Sequence, residues 1–133
     1  MPRIEGDFAR MLFAVATGRI GEIPASPLSP DCSMTVILAA RGYPGTPVSG
    51  GTIRAIEAAE QVEGVTVFHA GTSASETGLT ANGGRVLAVT ALGQTLAQAR
   101  ARAYRAVDQI DFADGFCRRD IGWRELERDS ERA

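Results

Sequence analysis

Residues 65–90 read VTVFHAGTSASETGLTANGGRVLAVT, and this stretch decides the fold. Two runs of β-branched and apolar residues, Val65–Phe68 and Gly84–Thr90, flank a polar loop that carries the chain's single histidine, His69. Such residues favour a pleated, half-buried surface. Asn82-Gly83, just before the second run, tolerates the positive φ angles of a tight turn. The stretch therefore predicts a hairpin-rich β element with polar residues gathered at its ends.

Working outward, Met34 to Ala40 is a continuous apolar run with the length of a buried strand. Gly42-Tyr43-Pro44-Gly45 after it is a turn. Thr52 to Ile56 reads as strand or helix, Glu57 to Val62 as a short helix, and Gly78 to Ala81 as a weaker strand. Asp7 to Arg19 places Phe8, Met11, Leu12 and Val15 at helical spacing, with Gly18 and Gly21 as stop signals. Three prolines make Ile23 to Asp31 an extended connection. Thr95 to Ile110 is the clearest helix: Thr95 is an N-cap, and Leu96, Ala99, Ala103, Ala106, Val107 and Ile110 line one face. Gly115 to Arg118 adds a short strand, and Trp123 to Asp129 a short charged helix. Runs of strand between helices, with no repeat or linker, give one α+β domain.

At 133 residues the chain fits a single domain with a sizeable core. The net charge of −2 supplies no basic footprint for nucleic acid. Every one of the 14 basic residues is arginine, so lysine Schiff-base chemistry and a P-loop lysine are excluded. No GxxxxGK[ST] or GxGxxG pattern occurs. No apolar run approaches the ~20 residues of a membrane span, and the first residues lack a signal-peptide core. Cys32 and Cys117 form neither a disulfide framework nor a CxxC pair and read as thiols of a reducing cytoplasm.

Few residues offer chemistry. His69 could act as a general base, since imidazole as a side-chain type suits that role. No serine or cysteine partner is identifiable, so a structural hydrogen-bonding role is the stronger reading. One histidine without clustered acids or thiols falls short of a metal-ligand set. Gly83-Gly84-Arg85 combines close backbone approach with a guanidinium fork for phosphate or carboxylate; a plain glycine turn is an equal reading. Arg118-Arg119-Asp120 reads as a local ion-pair network, with phosphate contact as the sharper alternative. Tyr43 either rims a pocket or sits in a simple turn. Composition and spacing name no reaction.

The motifs do carry a resemblance. VILAARGYPG at 36–45, GTI at 51–53, VFHAGT at 67–72, TANGGRVLAVTALG at 80–93, ARARAY at 99–104 and RRDIGWR at 118–124 occur in one order. Together, over about Ile4 to Glu127, they resemble the C-terminal domain of the phosphoribosylamine–glycine ligases, which belong to the ATP-grasp ligases. The resemblance implies a small barrel-like or sandwich antiparallel β domain with flanking helices, packed against an ATP-grasp core and walling its cleft. It implies a cytoplasmic enzyme of purine biosynthesis. ATP phosphorylates glycine, and the amine of phosphoribosylamine attacks the acyl phosphate, with Mg²⁺ or Mn²⁺ required.

Family members are about three times longer, the size of several domains. The N-terminal and ATP-grasp domains would therefore be supplied in cis or in trans, and the chain alone is expected to be inactive and to hold no cofactor. His69, Gly71, Thr72, Asn82, Gly83, Gly84, Arg85 and Tyr43 match the family's turns and are the expected cleft-facing, substrate-binding edge. None is expected to serve as acid, base or nucleophile, and no metal ligand is expected. Arg54-Ala55-Ile56 departs from the glycine and leucine common in the family. The rival readings are a free-standing binding or assembly module and a small hydrolase using His69. An apolar face left without its core predicts weak self-association, with no nucleic acid or membrane partner.

Overall fold

The structure, a computed structural model, describes residues 2–76 and 78–132. Its elements in chain order are α1 (Phe8–Ala16), a short 3-10 turn (Ile20–Glu22), β1 (Cys32–Ala40), β2 (Thr52–Ile53), α2 (Ile56–Glu60) and β3 (Val65–His69). Then come β4 (Thr72–Ser75), β5 (Gly78–Ala81), β6 (Arg85–Gly93), α3 (Leu96–Val107), β7 (Gly115–Phe116) and α4 (Trp123–Arg132). The expected α+β class holds, with antiparallel sheets and flanking helices.

The two β-rich runs of the opening stretch pair with each other as β3 and β6, from Val65↔Ala91 to His69↔Leu87. They belong to a four-stranded sheet of order β3-β6-β1-β7. The polar loop between them is itself folded. Thr72–Ser75 and Gly78–Ala81 pair as an antiparallel hairpin within a second sheet of order β2-β5-β4. Sequence reading missed β4, whose Thr-Ser-Ala-Ser is exposed along most of its length and shows no apolar alternation. Asn82-Gly83 does not use the positive φ expected of it, since neither residue is left-handed. It carries the chain from one sheet to the other instead.

β1 lies in the middle of the larger sheet, and its neighbours explain its apolar character. Met34, Val36 and Leu38 face α3 together with Val67, Val89 and Ala91. The α3 residues set against them are small: Ala99, Ala103 and Ala106 are fully buried. Short side chains let the helix lie close to the sheet. A Cβ on Gly93 would stand 2.6 Å from the Ala99 backbone nitrogen. Thr95 caps α3 as predicted, accepting a hydrogen bond from the Gln98 amide at 3.2 Å, while Gln98 Oε1 accepts from the Gln94 amide at 2.7 Å.

Along β1 the alternate residues Thr35, Ile37 and Ala39 turn to the opposite face. Thr35 meets Thr90 there, hydroxyl to hydroxyl, at 2.8 Å. This face stays open: Ser33 and Thr35 are exposed, and Ile37 is 37% exposed. A bulge between Leu38 and Ala39 puts Ala39 opposite Arg85 and skips Val86. It re-aims the start of β6, where Arg85 lies.

Candidate functional site

Three segments converge at the edge of the uncovered sheet face: the turn after β1, the turn after β3, and the start of β6. Hydrogen bonds lace them together. The Ala70 amide donates to Val86 O at 3.0 Å, Gly71 to Arg85 O at 2.9 Å, and Asn82 to Gly71 O at 2.7 Å. The Ala40 amide donates to Gly84 O at 2.8 Å and fixes the third segment. The Tyr43–Pro44 peptide is cis.

Close backbone approach explains the glycines. A Cβ on Gly71 would lie 2.8 Å from Arg85 O and 2.9 Å from Gly83 Cα. A Cβ on Gly84 would lie 2.5 Å from Tyr43 Cδ2, so the Tyr43 ring rests on Gly84. Neither residue needs positive φ. Their role is to leave room.

The result is a groove of about 530 Å³, lined by Ile37, Tyr43, Ala70, Gly84, Arg85, Leu87 and Ala88. A second, more apolar groove of about 280 Å³ adjoins it, bounded by Phe116, Cys117, Arg118 and Ile121. Ile37, Tyr43 and Arg85 line both and form the ridge between them. Tyr43 is 39% exposed, Ile37 37% and Phe116 44%, so the floor is apolar and open.

Charge sits at the edge, and the arginines differ in how they are held. Arg41 pairs with Asp114 at 3.2 Å. Arg119 pairs with Asp108 at 2.6 Å. Arg118 grips Asp120 with two bonds, 2.9 and 2.6 Å, which raises the guanidinium's pKa and lowers the carboxylate's. The Arg118-Arg119-Asp120 stretch is thus braced by ion pairs, the local network its sequence suggests. Tyr104 Oη donates to Arg118 O at 2.8 Å and ties the stretch to α3. Arg85 is different. Among the described residues nothing hydrogen-bonds or ion-pairs with its exposed guanidinium. It is a cation free to take an external anion at the rim of both grooves.

His69 plays a local part. Its Nδ1 lies 3.1 Å from Thr72 Oγ1 and closes the turn between β3 and β4. His69, Thr72 and Asn82 line neither groove; with Gly71 and Gly83 they shape the adjoining turn. Among the described residues no group of three or more His, Cys, Asp and Glu could hold a metal ion. Also among them, no helix is long and apolar enough to cross a membrane. Burial raises the Cys117 thiol above its ordinary value of 9.0, opposed by Arg119 and helped by Asp108. The sequence reading did not find Ile37, Ala88 and Phe116 as groove floor. The signal was present in β1, where Ile37 and Ala39 are apolar at positions that alternate with the buried Val36 and Leu38.

Comparison with known proteins places this architecture. Residues 33–124 match the family model of the phosphoribosylglycinamide synthetase C domain. A phosphoribosylamine–glycine ligase of Mesorhizobium japonicum is 48% identical over 129 residues, which is 97% of this chain and 30% of the relative. The Escherichia coli ligase of the same name is 42% identical over 130 residues, again 97% of this chain and 30% of the relative. The crystal structure of the Thermotoga maritima phosphoribosylamine–glycine ligase superposes with a TM-score of 0.65 at 34% identity, over 83% of this chain and 27% of that one. The chain thus spans about 30% of the length of these curated relatives. Matched through its sheets and α3, it belongs to the phosphoribosylglycinamide synthetase C-domain family.

Proposed function

We propose that this chain is the C-terminal part of a phosphoribosylamine–glycine ligase and supplies one wall of its substrate cleft. The full reaction joins glycine to phosphoribosylamine with ATP cleaved to ADP and phosphate. The observation that carries the reading is Arg85, which has no partner among the described residues and stands on the ridge between two grooves. A guanidinium fork there suits a phosphorylated ligand, and the apolar floor beside it strengthens the attraction by excluding water. Tyr43, seated on Gly84, borders the same anion position. The turn formed by His69, Gly71, Thr72, Asn82 and Gly83 holds the start of β6 in place.

The work of this chain is orientation and charge stabilisation. The hydroxyl–imidazole contact of Thr72 with His69 closes a turn outside both grooves, and in this ligation the substrate amine is itself the nucleophile. Its described residues do not fit a metal site, so Mg²⁺ or Mn²⁺ and ATP would be held by the rest of the ligase. Those remaining domains, in cis or in trans, are the partners this reading requires.

The test is a full-length ligase in which the matched C-terminal segment of the Mesorhizobium japonicum relative is replaced by this chain. ADP release dependent on both glycine and phosphoribosylamine is the expected result. A folded chimera without that activity would favour a free-standing binding or assembly module.

A further inference from the structure

The smaller groove does not match the ligands of the ligation. Its lining includes Ile37, Ala39, Phe116 and Ile121. Ala39 and Phe116 are register partners in β1 and β7, so their side chains share the open face of the sheet. The Thr35 hydroxyl beside them is already bonded to Thr90 at 2.8 Å. Glycine and phosphoribosylamine are polar throughout, and an apolar lining leaves their amines and hydroxyls without partners.

The wall of this groove is held in shape before any ligand arrives. Arg118, Arg119 and Asp120 are exposed, so burial does little to fix them. Side chains of α3 fix them instead. Tyr104 Oη donates to Arg118 O at 2.8 Å and accepts from the Ile121 amide at 3.1 Å. Arg100 donates to Arg119 O at 2.9 Å and to Ile121 O at 3.1 Å. The guanidinium groups of Arg100 and Arg119 both stand over the Tyr104 ring, 5.1 and 5.5 Å from its centre. A groove shaped in advance loses less entropy when it is filled.

One strong polar group is left at its rim. Arg118 is gripped by Asp120, whereas Arg85 has no partner among the described residues and lines both grooves. From an apolar, preshaped groove with one free cation at its edge we infer a second ligand site, for a compact aromatic anion. The ring lies in the smaller groove and the phosphate or carboxylate sits on Arg85, with the Tyr43 ring on the ridge beside it. The size agrees. At about 280 Å³ the groove stands at the low end of ligand pockets, with room for about one or two fused rings. The site goes beyond the ligase reading and does not depend on it. One consequence joins the two: a guest in the smaller groove and a phosphorylated ligand in the larger one compete for the same guanidinium.

Calorimetric titration of this chain with 1-naphthyl phosphate and with 1-naphthoate tests the site and distinguishes the two anionic heads. NMR of the Ile37 and Ile121 methyl groups locates the ring. At least one of the two should bind about tenfold to a hundredfold more tightly than inorganic phosphate or acetate, the worth of burying one aromatic ring. Arg85→Ala should weaken it by about tenfold, the loss of a charged hydrogen bond, and leave neutral 1-naphthol unaffected. Phe116→Ala, at an exposed position, should weaken the naphthyl anions and spare inorganic phosphate. Naphthyl anions no tighter than the bare anions would overturn the inference, and so would an Arg85→Ala chain that binds them as the parent does. The same titration of the full-length chimera separates this site from the ligase reading. Binding to this chain but not to a folded chimera would show the groove filled by the rest of the ligase and would overturn the inference. Binding to the chimera that raises the KM for phosphoribosylamine keeps both. Binding that leaves that KM unchanged keeps the site and counts against placing the substrate's phosphate on Arg85.

Discussion

Gly71 and Gly84 offer a controlled comparison, because the same methyl group added at each meets different neighbours. At Gly71 the new Cβ would sit 2.8 Å from Arg85 O and 2.9 Å from Gly83 Cα. All of these are backbone atoms, and the Gly71 amide is bonded to Arg85 O at 2.9 Å. Relief requires β3 and the start of β6 to separate by most of an ångström. That strains the amide bonds of Ala70, Gly71 and Asn82, so Gly71→Ala should cost about 2–3 kcal/mol, the upper range of overpacking. At Gly84 the clash is with the Tyr43 ring at 2.5 Å. That ring is 39% exposed and can swing outward, so Gly84→Ala should cost about 1 kcal/mol. Urea unfolding of the isolated chain decides. Both variants should lower the midpoint with an unchanged slope, Gly71→Ala by two- to threefold more. A Gly84→Ala loss equal to or larger than that of Gly71→Ala would refute the reasoning, since the Tyr43 ring would then be fixed and the Gly71 backbone yielding.

Further outcomes follow from single features. Ala55 is the one non-glycine residue at positive φ among the described residues, at 60°, so Ala55→Gly should stabilise by about 0.5–1 kcal/mol in the same assay. Removing the 3.1 Å contact between His69 and Thr72 with Thr72→Val should cost about 0.5–1 kcal/mol. Ligase turnover of the chimera should survive His69→Ala within a few-fold, and its abolition would restore His69 as a catalytic base. The carboxyl of Asp120, lowered by Arg118, should titrate below 3.8 by NMR. Its contribution to stability is present above that pH and is lost as pH falls through the folded value. The thiol of Cys117, raised by burial, works in the opposite sense: its contribution is present below pH 9.0 and lost as pH rises through the folded value. Alkylation of Cys117 at pH 8–9 should therefore be slower in the folded chain than in urea.

What was legible in the sequence follows the physics of each signal. Periodicity and apolar runs marked β1, β3, β6 and α3, because burial on one or both faces leaves a pattern. The N-cap of α3 was equally readable: Thr95 accepts from the Gln98 amide at 3.2 Å. That Asp7 caps α1, accepting from the Arg10 amide at 2.8 Å, went unread. β4 left no pattern, since Thr72–Ser75 is held by pairing with β5 and not by burial. The site was half visible. Gly83-Gly84-Arg85 and Tyr43 stood out as residue types suited to close approach and anion contact. That the ring of Tyr43 stacks on Gly84, and that Arg85 lacks the acid each neighbouring arginine has, depends on contacts 41 positions apart along the chain, beyond the reach of local pattern. The periodic face of α1 was read correctly as apolar. That Leu12 and Val15 on it stand exposed within this chain was not readable, because spacing records what a helix needs and not what covers it.

On the proposed function, the Arg85 ridge binds a phosphorylated ligand in a working ligase. The most direct measurement is kcat/KM for phosphoribosylamine in the chimera, comparing Arg85→Ala with Arg118→Ala, whose guanidinium is already engaged by Asp120 at 2.6 Å. Loss of a charged hydrogen bond predicts a fall of about tenfold to a hundredfold for Arg85→Ala. Arg118→Ala should stay within a few-fold of the parent. An Arg85→Ala enzyme as active as the parent would contradict the account.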